Sequence, residues 1–102
     1  MQAYFVAGAY NGHSAQLKPR RYKAGPVRSG QVPPRVFITD DDATHEYELA
    51  HYIGGHENLA DADLYYTPSN LTDEQRNEAI AELIRTTAPW QLKELQPSFV
   101  TA

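Results

Sequence analysis

The residue pattern predicts an α+β domain: a small mixed or antiparallel sheet of three to four strands, in the order β-β-β-α-β-α plus a short α, with helices packed on one face. Three observations lead there. An apolar and aromatic run, AYFVAGAY at residues 3–10, is followed at once by the turn pair Asn11-Gly12, and a second compact strand signal, RVFIT, occupies residues 35–39. Two longer stretches, 40–53 and 71–88, carry apolar residues at helical spacing.

The first run places aromatic and small apolar residues on both alternating sets, as a strand covered on both faces requires. Asn-Gly tolerates the positive φ of a type I′ turn, so a tight hairpin is expected to lead into a second strand over His13 to Lys18. Ala15 and Leu17 then face the core, and Pro19 limits the pairing. Residues 23–34, KAGPVRSGQVPP, combine Gly25, Pro26, Gly30, Pro33 and Pro34 with little periodicity and read as a long surface loop within a single 1–102 domain. Val36, Phe37 and Ile38 favour the pleated conformation of a third strand.

Asp40 to Asp42 suit a helix start, where carboxylates accept backbone N–H groups, and Gly54-Gly55 supplies a stop. On that helix Ala43, Tyr47, Leu49, Ala50 and Ile53 share one arc, while Thr44, His45, Glu48, His51 and Tyr52 share the other. Glu46 falls inside the apolar arc, so it either pairs with Arg35 or Arg21 or sits at the rim, the simpler of the two. LYYT at 64–67 reads as a strand broken by Pro68. LTDEQRNEAIAELIRTTAP is the clearest helix, with Thr72 and Gln75 spaced as a capping box and Ile80, Leu83, Ile84 and Thr87 as its stripe. A short third helix starts at Pro89, anchored by Trp90, Leu92 and Leu95. Tyr47 and Trp90 are the expected core aromatics.

At 102 residues with 41% apolar and 22% charged side chains, the chain has an ordinary globular composition and room for one core. It has no cysteine, which excludes disulfides, thiolate metal sites and cysteine nucleophiles. The opening MQAYFVAGAYNGH has no basic start and too short an apolar stretch for a secretory signal or a membrane span, so a cytoplasmic location is expected and Asn70-Leu71-Thr72 is read as a chance glycosylation match. The net charge of −4 hides a polar division. Residues 1–39 hold six cations and no acid; residues 40–102 hold thirteen acids against Arg76, Arg85 and Lys93.

Several catalytic patterns fail on inspection. Gly25 to Val32 has the glycine spacing of a phosphate loop, but Gln31 and Val32 stand where lysine and Ser/Thr are needed. Gly12 to Gln16 begins like a nucleophile elbow, yet sits in a hairpin. Asp40 to Asp42 lack the spaced ligands and glycine of a calcium loop. His45, Glu48, His51 and His56 offer near-miss spacing for a metal-dependent enzyme, without the second histidine four residues after His45.

The reading that remains is a non-enzymatic small binding protein with no cofactor. It acts as an inhibitor or adaptor, docking on a larger, nucleic-acid-handling protein through its acidic half. Tyr22, Glu48, Tyr52, Glu57, Asp61, Asp63, Glu74, Glu78 and Glu82 are the candidate contacts, and seven tyrosines suit an interface. The alternative is direct nucleic-acid binding, with Lys18, Arg20, Arg21, Lys23 and Arg28 tracking phosphates around a stacking Tyr22.

Overall fold

The computed structural model describes residues 1–18, 32–54 and 61–102. They form a seven-stranded mixed sheet and one α-helix. In chain order the elements are β1 Gln2–Phe5, β2 His13–Gln16, β3 Arg35–Thr39, β4 Thr44–Ile53, β5 Asp63–Pro68, α1 Asp73–Thr86, β6 Lys93–Glu94 and β7 Ser98–Thr101, with 3-10 turns at Gly8–Tyr10 and Pro89–Gln91. The spatial order is β6-β2-β1-β5-β4-β3-β7. The β1–β5 and β2–β6 pairs are parallel and the rest antiparallel.

That order forces curvature. Seven strands laid flat at the usual spacing would separate the two edges by about 29 Å. Yet β6 and β7, the two edges, are joined by Leu95, Gln96 and Pro97 alone, a path that reaches at most about 15 Å. The sheet therefore curls into a half-barrel. Its concave side holds the main core, in which Phe5, Val36, Ile38, Tyr47, Leu64 and Tyr66 are buried. The Phe5 ring meets Tyr47 edge-on at 5.3 Å and Tyr66 at 5.8 Å.

This architecture corrects the expected small sheet of three to four strands with helices on one face. The largest error is residues 40–53. They form no helix: Thr44–Ile53 is the longest strand, paired with β3 on one side and β5 on the other. Two-fold alternation governs it, with His45, Tyr47 and Leu49 directed to the concave side and Glu46 and Glu48 to the convex side. Glu46, anomalous on a helix, is exposed and needs no basic partner. Asp40 ends the preceding strand by folding back, its Oδ1 accepting from Asp42 N and Ala43 N at 2.9 Å each, so it caps a hairpin turn where a helix start was expected.

Other expectations hold. β1 is covered on both faces, with Ala3, Tyr4 and Phe5 buried, though it ends at Phe5, short of the expected 3–10 run; Ala15 and Leu17 face the core; β3 has the expected bounds. Thr72 and Gln75 form the capping box of α1, Gln75 N donating to Thr72 Oγ1 at 3.2 Å and Thr72 N to Gln75 Oε1 at 2.9 Å. The Asn11-Gly12 turn differs in type. Asn11 has φ −55° and ψ 129° and Gly12 has φ +82°, values of a type II turn, and a 3-10 turn precedes it in place of a tight hairpin. The expected third helix is a single 3-10 turn with Pro89 at its start, after which Lys93 and Glu94 pair with β2. Trp90 is not a core residue: it is 85% exposed. Of the expected loop 23–34, residues 23–31 lie outside the described residues, while Val32 and Pro33 are buried.

α1 lies on the convex side. Ile80 and Leu83 pack with Val6, Ala50, Tyr65, Ala79 and Leu92 in a second, smaller cluster. Its first turn is fastened by Arg76, whose guanidinium donates to Glu48 Oε2 at 2.7 Å, Leu71 O at 3.1 Å and Ser69 O at 3.2 Å.

Candidate binding surface

Because α1 is amphipathic, fastening its apolar face to the sheet turns its acidic face outward. Glu74, Glu78 and Glu82 follow one another at i,i+4 and all three are exposed, as the sequence predicts. Arg85 bonds Glu82 from the next turn. Across all described residues twelve acids stand against five cations. Three of those cations, Arg35, Arg76 and Arg85, are already engaged with acids.

The helix covers only part of the convex side. Beyond its last turn, Tyr4 of β1 and Tyr65 of β5 lie side by side with centroids 5.2 Å apart, forming the floor of a groove. Leu83, Ile84, Pro89 and Leu92 line it as well. Ile84 was expected in the buried stripe but is 55% exposed, since the stripe runs past the edge of what the sheet covers. The Tyr4 hydroxyl donates to Asp63 Oδ1 at 3.3 Å. Burial and the adjacent Asp63 carboxylate push the Tyr4 phenol up to about 12, and Tyr65 is raised for the same two reasons, burial first.

The remaining candidate contacts separate. Glu48 is half-buried and bridges Arg35, at 3.2 Å, and Arg76, which together hold its carboxyl below the usual range, the Arg76 hydrogen bond foremost. It is a structural tie between sheet and helix. Tyr52 is 42% exposed at the far end of β4. Asp61 is exposed and Asp63 half-buried. Lys18 is exposed just after β2. Arg20, Arg21, Tyr22, Lys23, Arg28, His56 and Glu57 lie outside the described residues.

Of the expected metal-site residues, the described His45, Glu48 and His51 do not converge. On a strand, three-residue spacing sends His45 and Glu48 to opposite faces, and the bulge between Leu49 and His51 keeps His51 on the Glu48 side, opposite Tyr65. Among the described residues no three histidines, aspartates or glutamates stand close enough to hold an ion. His45 instead faces Asp40 Oδ2 at 3.0 Å through Nε2, and since a carboxylate only accepts, the ring carries its proton there. Tyr10 donates to the same oxygen. With its four donors Asp40 is held well below the usual carboxylate range, the Tyr10 bond contributing most, and the same bond pushes Tyr10 up to about 12. The Tyr10 ring stands edge-on between His45 at 5.2 Å and His13 at 5.4 Å. Sequence reading missed this network, because Asp40 and Tyr10 meet only through the sheet. It also missed the exposed Trp90.

Comparison with known protein families, characterised proteins and solved structures gives no match. No helix among the described residues is long and apolar enough to cross a membrane.

Proposed function

We propose that the chain is a small non-enzymatic binding protein, an inhibitor or adaptor that docks through its acidic half on the basic surface of a larger, nucleic-acid-handling protein. The observation that carries this reading is Trp90, 85% exposed in the 3-10 turn that follows the acidic helix, whose last turns also leave Ile84 exposed. A tryptophan left in water has no stabilising role in the fold, whereas aromatic anchors dominate the energetics of interfaces. The stripe Glu74, Glu78, Glu82 along the preceding helix favours a cationic partner, by steering encounter and by disfavouring acidic competitors.

The test is capture of partners on immobilised protein from a nuclease-treated lysate of the native host, using the wild type, Trp90→Ala and the triple variant Glu74→Gln, Glu78→Gln, Glu82→Gln. Supporting results are a stoichiometric partner that elutes with rising salt, is displaced by added DNA or RNA and is lost in both variants. A partner retained equally by all three proteins overturns the reading. So does direct binding of labelled DNA or RNA to the isolated chain, which would favour Lys18 to Arg28 as the working surface.

A further inference from the structure

The groove beyond α1 combines features that the docking surface as a whole does not require. Its floor is aromatic, Tyr4 against Tyr65, and its walls are mainly aliphatic, from Leu83, Ile84, Pro89 and Leu92 with Thr87 among them. Two residues before Tyr65 on β5, and so on the same face, stands a half-buried carboxylate, Asp63, whose Oδ1 receives the Tyr4 hydroxyl at the long distance of 3.3 Å. No arginine or lysine among the described residues lies within ion-pair distance of it. An ionised carboxylate accepts about four hydrogen bonds, so most of this acceptor capacity is uncommitted among the described residues.

These parts match one chemical group. A guanidinium is planar, stacks on aromatic rings and pairs with a carboxylate in a fork, and its three-carbon stem is apolar. We propose that the groove receives an arginine side chain of the partner, with the stem along Leu83, Ile84 and Leu92, the guanidinium over Tyr4 and Tyr65, and its end directed at Asp63. Charge complementarity selects this occupant: the described residues carry twelve acids against five cations, and Asp63 stands at the Tyr4 hydroxyl, so an anionic or neutral apolar group gains less than a cation. Ammonium, a compact and strongly hydrated point charge, stacks less well and binds more weakly. This inference deepens the docking reading by naming the group recognised, and its test needs no partner.

The experiment is titration of the 15N-labelled protein with N-acetylarginine amide, N-acetyllysine amide and the uncharged N-acetylnorleucine amide, following backbone amides and the Trp90 indole. The expected result is saturable, millimolar binding of the arginine compound, with shifts focused on Leu83, Ile84, Leu92 and Asp63. The lysine compound should bind more weakly, and the norleucine compound should give no saturable shift. Asp63→Asn, nearly isosteric, should weaken the arginine compound about fivefold, and Ile84→Arg, at an exposed position that folding tolerates, should abolish its binding by occupying the groove. The triple glutamine variant of α1 should bind it as the wild type does. Shifts confined to Glu74, Glu78 and Glu82, equal binding of norleucine, or an unchanged Asp63→Asn affinity would each overturn the assignment. Arginine binding in the groove alongside unaffected partner capture by the α1 variants would leave this inference standing and remove the docking surface. Loss of capture in those variants with no arginine binding would do the reverse.

Discussion

The Tyr47 hydroxyl donates to the carbonyl of Ala7 at 2.7 Å, tying the middle of β4 to the loop that leaves β1. The same oxygen accepts from Tyr10 N at 3.0 Å, so one buried phenol holds both ends of the 3-10 turn Gly8–Tyr10. Tyr47→Phe keeps the ring in the core and removes both bonds, leaving the buried Tyr10 N–H without its acceptor. The variant should lose about 1–3 kcal/mol of unfolding free energy, measured by urea denaturation. A loss within error would mean that water replaces the hydroxyl.

That clamp also holds a strained backbone. Ala7 has φ +67° and ψ 169°, a conformation that favours glycine, and Gly8 follows at φ +71°. Ala7→Gly should therefore raise stability by about 1 kcal/mol, the relief of strain exceeding the entropy cost of glycine. A lower denaturation midpoint would show that the methyl group does more by packing than it costs by strain.

Acid should act through Asp40. Its folded-state carboxyl is lowered, with the Tyr10 hydrogen bond the first cause, so the unfolded chain takes up a proton before the folded one does. Stability from this group is complete above the unfolded value, near about 4, and declines as pH falls from there through the folded value. Tyr10 is raised to about 12, so its share is complete below about 10 and is lost as pH rises through 12. Urea midpoints measured from pH 7 to pH 2 should fall less steeply for Asp40→Asn than for the wild type. Parallel curves would show that the network carries no linkage.

Arg76 joins α1 to the sheet by a partly buried ion pair with Glu48 and two bonds to loop carbonyls. Arg76→Ala should cost about 2–4 kcal/mol, since Glu48 is left with only the more exposed Arg35. Amide hydrogen exchange should accelerate in α1 before the half-barrel. Exchange that rises uniformly would place α1 and the sheet in one cooperative unit.

Thr67 presents the opposite case. It is fully buried, and its Oγ1 has no hydrogen-bond partner among the described residues. Thr67→Val removes the hydroxyl and keeps the shape, so the variant should be more stable by about 1 kcal/mol. Thermal unfolding decides it: a lowered midpoint would imply an ordered water at Oγ1.

Much of the local structure is legible in the residues, because β1, β2, β3, β5 and α1 each carry one dominant signal. β4 carries two. HEYEL alternates polar and apolar side chains as a strand does, while Ala43, Tyr47, Ala50 and Ile53 also satisfy a helical stripe. Edge-to-edge pairing with β3 and β5 decides between them, and neither partner is visible locally. The short β6 and β7 have too few residues to announce themselves; they exist because β2 and β3 offer open edges. Of the binding surface, the acidic stripe follows from helical geometry and was readable. The groove was not, since Tyr4 and Tyr65 become neighbours only through a parallel pairing of residues far apart in the chain. Trp90, expected to anchor a helix starting at Pro89, is exposed because that segment makes only the single 3-10 turn Pro89–Gln91 before the chain turns into β6.

The nine residues from Lys93 to Thr101 supply the short edge strand at each margin of the half-barrel, one covering β2 and the other β3. A protease cut or stop codon just ahead of them would therefore bare two templates for strand addition in a single event, while leaving every helix residue in place. Such a fragment should polymerise edge to edge, and this C-terminal strip works as the fold's guard against meeting itself.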